Sequence, residues 1–322
     1  MQHLLLFKEI QADLKLVEKE LNKYVVSGEP LLTQASGHLL KAGGKRIRPA
    51  FALLAGKFYN YDLEKLLPLT VALEIIHMAS LVHDDVVDAS MTRRGRPTVK
   101  AKWGNRVSMH AGDYLFAQSL ILISQYEDKR ISKVLSRVSV EMCKGEIQQI
   151  SASFDAEQKL RDYLYRIKRK TALLISASCQ LGAVVTGAPD HLIRALTRYG
   201  YYLGMAFQIT DDILDLVADE KVLGKPVGGD LRQGIITLPV IYALAHAKEK
   251  ERLKELVTKQ MKSEEEVQET IQLIKNSGAI EYSFAFSNKY LAKAKKELEK
   301  LPDVKTKKTF AQIANYIGER TF

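Results

Sequence analysis

Cysteine is scarce in this chain: Cys143 and Cys179 are the two among 322 residues. So few exclude a disulfide framework, and both lie in apolar helical patterns that read as core. No run of 18 or more apolar residues occurs, so the sequence offers no membrane span. The N-terminal MQHLLLFKEIQADLKLVEKEL interrupts its apolar positions with charge, unlike a signal peptide's apolar stretch. Linkers rich in Pro, Gly or Ser, low-complexity tracts and clear internal repeats are also lacking. Their absence favours one domain over residues 1–322 and a cytoplasmic protein. β-branched runs bounded by turns are few, which argues against a sheet-based fold.

A formal net charge of +10 points to anionic partners. Nucleic acid fits poorly. Many cations sit in mixed-sign runs such as Lys248-Glu249-Lys250-Glu251-Arg252, which read as solvated helix faces. No nucleic-acid motif and no interleaving of aromatic with basic residues is present.

Helical periodicity dominates. It predicts helices at 4–25, 30–41, 47–58, 68–88, 106–125, 131–151, 157–186 and 190–217, then at 235–246, 249–259, 263–276, 278–299 and 303–318. Pro68 and Pro189 fall near predicted helix starts, where proline costs little. Gly200 and Gly204 lie inside a helix, where their reason is close approach of a neighbour. The fold class expected is all-α: a single-domain bundle of about 10–13 helices around a deep central cavity.

The chemistry concentrates in a repeated pattern, Asp84-Asp85-Val86-Val87-Asp88 and Asp211-Asp212-Ile213-Leu214-Asp215. Acidic residues are rarely buried unless something pairs with them. At about 100° per residue, Asp84 and Asp88 lie about 40° apart on one helix face, as do Asp211 and Asp215. Asp85 and Asp212 sit about 100° to one side. Two such faces opposed would form an all-oxygen cage suited to Mg²⁺ shared with phosphates. One motif alone reads equally well as a solvated acidic helix end.

Basic segments accompany them. Gly43-Gly44-Lys45-Arg46-Ile47-Arg48-Pro49 combines glycines, cations and a helix start, a setting for diphosphate or a simple basic turn. Thr92-Arg93-Arg94-Gly95-Arg96-Pro97 reads as a loop able to serve two anions, or as an exposed basic loop. Lys170-Thr171 leads into an apolar run, where a lysine must snorkel or meet an anion. Gly224-Lys225-Pro226-Val227-Gly228-Gly229-Asp230 could act as a lid. Gln208 precedes Asp211 by three positions and His77 precedes Asp84 by seven. No Ser-His-Asp or Cys-His nucleophile, His/Cys metal site or phosphate loop is found. The inventory fits chemistry at a diphosphate ester beside hydrocarbon.

Taken in order, GGKRIRP at 43–49, EIIHMASLVHDDVVD at 74–88, RRGRPT at 93–98, GEIQQ at 145–149, KT at 170–171, FQITDDILD at 207–215 and GKPVGGD at 224–230 resemble the trans-isoprenyl (polyprenyl) diphosphate synthases. The resemblance runs from about residue 30 to residue 240. It implies that Lys45, Arg48, His77 and Arg94 bind isopentenyl diphosphate. Arg93, Lys170, Thr171, Gln208 and Lys225 would contact the allylic diphosphate. Asp84, Asp85, Asp88, Asp211, Asp212 and Asp215 would hold Mg²⁺, with Gln149 ordering a metal-bound water. Among these, Lys170, Arg93, Lys225, Asp84 and Asp211 carry catalysis.

The reaction so implied extends an allylic diphosphate, best farnesyl, with isopentenyl units for quinone side chains. Ala79 and Ser80, one turn before the first Asp motif, are small. An aromatic there would floor the growing tail, so a hexaprenyl to octaprenyl product is expected, heptaprenyl first; the alternative is that both merely pack against a helix. A short-chain synthase is the rival product reading. A terpene cyclase fits less well, because the second metal motif repeats DDxxD. A regulatory subunit fits less well still, because both Asp motifs are intact. Expected partners are the two diphosphates, a membrane touched transiently for product release, and either a second copy or a small regulatory subunit.

Overall fold

A computed structural model describes residues 6–218 and 227–319. The helices are α1 Gln11–Tyr24, α2 Pro30–Lys41, α3 Ile47–Gly56, α4 Leu63–Val87, α5 Val99–Ser124, α6 Lys129–Ser151, α7 Leu160–Ile167, α8 Leu173–Val185 and α9 Asp190–Val217. Then follow α10 Gly229–Arg232, α11 Leu238–His246, α12 Lys250–Thr258, α13 Glu264–Asn276, α14 Ala279–Leu298 and α15 Lys305–Gly318. Among the described residues the one sheet pairs β1 Thr92–Arg93 with β2 Arg96–Pro97. The all-α class expected from the periodicity is what forms. The chain makes two compact units: Met1–Arg137 with Leu174–Thr197 and Lys300–Phe310, and Val138–Leu173 with Arg198–Glu299 and Ala311–Phe322.

The first unit is organised around α4, which packs along α5. Asp62 caps its start by accepting the Lys65 N–H at 3.3 Å. Leu66, Leu69, Leu73, Ile75 and Val82 are buried. An 18-residue window of α4 has mean hydropathy 1.6, enough by length and composition to cross a membrane. Glu74 and His77 interrupt the stretch, so it contains no unbroken apolar run of that length. Two-thirds of that window (67%) is buried within the protein, so α4 serves as a core helix.

Pro68 lies inside α4 and not at its start, as the helix begins at Leu63, five residues (68 minus 63) earlier than predicted. A proline there removes an N–H and pushes on the carbonyl a turn back. The Tyr126 hydroxyl enters the gap: it donates to the Lys65 carbonyl at 2.6 Å and accepts the Leu69 N–H at 2.8 Å. A side chain inserted into the ladder is a recognised cause of a helix bend.

In the second unit Tyr163, Ile167, Met205, Ile209, Ile213, Leu231, Leu238 and Val240 share a buried cluster. The helix predicted over 157–186 is interrupted by a π turn, Lys168–Ala172, between α7 and α8. Gly145 and Gly204 approach that turn closely. A Cβ on Gly145 would lie 2.9 Å from the Arg169 Cβ, and one on Gly204 would lie 2.7 Å from the Ala172 Cα. The close-approach reading of Gly204 therefore holds. Cys179 is buried, but Cys143 is exposed, because it lies on the outer face of α6 with Val140 and Ile147.

Candidate active site

In the first unit the end of α4 carries Asp84, Asp85 and Asp88. The Asp88 N–H donates to the Asp84 carbonyl at 2.8 Å, which stacks the two residues one helical turn apart. Both side chains are half-buried. Asp85 is 2% exposed and accepts from the Arg93 Nε at 2.7 Å. Burial raises its pKa, which Arg93 opposes. Asp85 thus spends one carboxylate oxygen on an arginine.

Arg93 stands on a hairpin and not on the irregular loop expected. Arg94 and Gly95 form its two-residue turn with φ of +54° and +71°. Both positions need positive φ when a turn is to match strand twist, and glycine meets that need easily while Arg94 does so under strain. Pro97 on β2 is held by His38, whose Nε2 donates to the Pro97 carbonyl at 2.7 Å.

The hairpin brings Arg94 onto the 43–49 segment. A Cβ on Gly44 would lie 2.8 Å from both the Arg94 and the Arg46 guanidinium, so the two arginine ends meet over this glycine. Arg46 is buried and forked onto Glu18 at 2.6 and 2.9 Å, and it bonds Glu74 at 3.0 Å. Burial opposes its charge, but those carboxylates outweigh it and raise its pKa. Arg48 differs. Burial lowers its pKa to about 10, with Glu74 opposing and Arg94 adding to the fall. Its Nε is buried without a hydrogen-bond partner, as is Glu74 Oε2. Burial, then Arg48, Arg94, Arg93 and Arg46, holds His77 well below its ordinary pKa, so it is neutral at pH 7. Lys45 is exposed at the same helix start. Ala79 is 2% exposed, and the Ser80 hydroxyl donates to the His77 carbonyl at 2.9 Å.

The second unit holds the other motif at the end of α9. Asp211 is half-buried, while Asp212 and Asp215 are buried. Asp212 accepts from the Tyr163 hydroxyl at 2.7 Å and from Gln208 Nε2 at 2.8 Å. Burial pushes its pKa up to about 6 against those bonds. Asp215 accepts the Asp230 N–H at 3.0 Å, at the start of α10. Thr171, on the π turn, donates to Gln208 Oε1 at 2.6 Å. Lys170 Nζ lies 2.8 Å from Glu146 Oε1 and 3.3 Å from Gln149 Oε1. The π turn therefore carries two adjacent bonded groups, Lys170 with Glu146 and Gln149 on α6, and Thr171 with Gln208 and Asp212 on α9. Lys225 lies outside the described residues, with Gly224 and Pro226 of the expected lid; Gly229 and Asp230 begin a short helix instead.

Sequence reasoning missed Glu74 and Tyr163. Glu74 is a lone acid in an apolar helix, the same signal that drew attention to the Asp motifs. Tyr163 sits in no motif, and nothing in its neighbourhood marks it.

Both motifs offer carboxylate oxygen alone, a donor set for a hard cation. Among the described residues no three His, Cys, Asp or Glu side chains converge to hold a metal ion. A cation that keeps its waters and shares phosphate oxygens needs only one or two carboxylates, which each motif could offer by itself.

The polyprenyl synthetase family matches residues 29–274. The chain belongs to that family. It is similar to heptaprenyl diphosphate synthase component 2 of Bacillus subtilis (strain 168), 51% identical over 310 residues covering 96% of this chain and 88% of the relative. The structure of heptaprenyl diphosphate synthase from Staphylococcus aureus has a TM-score of 0.91 at 39% identity, covering 97% of this chain and 99% of that one. A polyprenyl synthase from Caulobacter crescentus CB15, complexed with calcium and isoprenyl diphosphate, has a TM-score of 0.94 at 32% identity, covering 98% and 97%. As a polyprenyl synthase the chain has the all-α isoprenoid synthase fold and is a prenyltransferase of trans-prenyl chain elongation. Polyprenyl synthases work with a divalent metal.

Proposed function

We propose that this protein extends farnesyl diphosphate with isopentenyl diphosphate to a heptaprenyl-length product, within a hexaprenyl to octaprenyl range, for a quinone side chain. The reading rests most on the cluster of Arg46, Arg48, His77, Arg93 and Arg94. Arginines that depress the pKa of neutral His77 between them, with the Arg48 Nε buried and unpaired, call for an anion. Lys45, Arg48, Arg94 and neutral His77 bind the diphosphate of isopentenyl diphosphate. Lys170, Thr171 and Gln208 serve the allylic diphosphate, a role extended to Arg93 and Lys225. Asp84 and Asp88, and Asp211 of the second motif, would hold Mg²⁺, with Asp85 assisting at the first motif, Asp212 and Asp215 at the second, and Gln149 ordering a water. Bound Mg²⁺ would act as a Lewis acid on the leaving diphosphate.

The allylic C–O bond breaks, the isopentenyl double bond forms the new C–C bond, and a proton passes to the departed diphosphate. The fixed cations of the chain stabilise the leaving charge without reorganisation. Both units belong to one catalytic domain, since the matched family segment runs through both. A small partner subunit is part of the proposal, because the Bacillus relative is named component 2. The working compartment is the cytoplasm, with transient membrane contact for product release.

The test is incubation with Mg²⁺, farnesyl diphosphate and labelled isopentenyl diphosphate, with and without candidate small subunits, followed by sizing of the prenyl alcohols. Linear products in the heptaprenyl range are expected. Cyclic hydrocarbons would overturn the reading, and a geranylgeranyl limit would correct its length. Ala79→Phe should shorten the product; unchanged length would end the ruler idea.

A further inference from the structure

We propose that Thr171 is a positioning residue, acting on the allylic diphosphate only through Gln208, whose amide Asp212 and Tyr163 orient. This deepens the function proposed above and rests on it. A carboxylate accepts hydrogen bonds and donates none. Asp212 takes the Tyr163 hydroxyl on Oδ2 at 2.7 Å and a Gln208 N–H on Oδ1 at 2.8 Å. The Gln208 amide is thereby turned with its nitrogen toward Asp212 and its oxygen toward Thr171.

That oxygen receives the Thr171 hydroxyl proton at 2.6 Å. A threonine hydroxyl has one proton, and here it is spent. A diphosphate requires donors, so Thr171 in this orientation has none to offer. Gln208 retains a second N–H. In this relay it is the group that can donate to the anion, while Thr171 and Asp212 hold the amide from its two ends.

The burial supports a directional relay. Tyr163 has no solvent exposure, and its ring lies 5.5 Å from the Arg166 guanidinium. Arg166 itself is occupied by Gln158 at 3.0 Å and by the Ile236 carbonyl at 2.6 Å. The Tyr163 proton is thus directed to Asp212, and nothing else described competes for it. Thr171 is fixed by the π turn, against which Gly145 and Gly204 pack.

A double-mutant cycle on the full chain tests this, with KM measured separately for farnesyl and isopentenyl diphosphate. Thr171→Val should raise KM for the allylic substrate roughly three- to tenfold, with KM for isopentenyl diphosphate unchanged. Thr171→Ser, which keeps the hydroxyl, should restore the wild-type value. In a Gln208→Ala background, Thr171→Val should change the allylic KM by less than about twofold. If the two single effects multiply in the double mutant, Thr171 touches the diphosphate itself and the proposal fails. If Thr171→Val moves both KM values equally and lowers Tm, its role is merely structural and the proposal also fails. A wild-type protein that joins no isopentenyl units would instead sink the function on which this rests.

Discussion

The two Asp motifs share a spelling and differ in what surrounds their middle residue. Asp85 is paired with a cation, Arg93, at 2.7 Å. Asp212 is held by neutral donors, the Tyr163 hydroxyl and the Gln208 amide. A cation cancels charge as well as satisfying an oxygen; a neutral donor only satisfies it. Burial raises the pKa of both middle residues, and Asp212, held by neutral donors, is pushed up to about 6. The helices that carry the motifs differ similarly. On α4, Pro68 opens a gap that Tyr126 fills; on α9, Gly204 lets the Ala172 backbone come close.

The largest effect should come from the residues that the comparison leaves alike. Asp84→Ala and Asp211→Ala should each lower kcat by about a thousandfold, measured by isopentenyl incorporation at saturating substrates. A variant within tenfold of wild type would remove that residue from the metal-binding set.

Next comes the contrast itself. Asp212→Ala strands the buried Tyr163 hydroxyl and the half-buried Gln208 amide and should cost about 2–4 kcal/mol in urea unfolding. Asp85→Ala releases an arginine that can reach solvent and should cost about 1–2 kcal/mol. Equal losses would mean that the partner's charge is irrelevant. Gly204→Ala forces a Cβ against the π turn and should lose about 1–3 kcal/mol, while raising the allylic KM in the same preparation. Tyr126→Phe removes both bonds at the Pro68 gap and should lose about 1–2 kcal/mol. Its allylic KM should stay at the wild-type value.

The smallest effect is a pH dependence in the first unit. His77 is held well below its ordinary value of 6.5 by burial and four arginines. As pH falls below 6.5 the unfolded chain takes up a proton that the folded chain refuses. Stability is then lost at up to about 1.4 kcal/mol per pH unit. His77→Gln should flatten that acid limb in unfolding curves taken between pH 7 and 5. An unchanged slope would show that His77 is protonated in the folded state.

Much of this was readable before any coordinates. Asp84 and Asp88, or Asp211 and Asp215, meet through helical spacing alone, so sequence reasoning reached them. Gly204 marked a place where a neighbour comes close, though not which one. The errors came where a local rule met a tertiary partner. Pro68 suggested a helix start, yet Tyr126 made it tolerable 58 positions away in the chain (126 minus 68). Arg94 suggested a loop, yet strand pairing folded it into a tight turn. Cys143 suggested core because it lies in an apolar helical pattern, and the helix turned that residue outward.

The sequence by itself determined the helical class, the paired carboxylates and the surplus of cations, since each follows from residue type and short-range spacing. Tertiary structure alone decided who holds whom: Arg93 on Asp85, Glu74 beside Arg46, Tyr163 on Asp212, Thr171 on Gln208. Those last two bonds span 49 and 37 positions. Over such distances a hydrogen bond depends on how helices pack, because helical periodicity fixes a side chain's direction only for its own turn and the next.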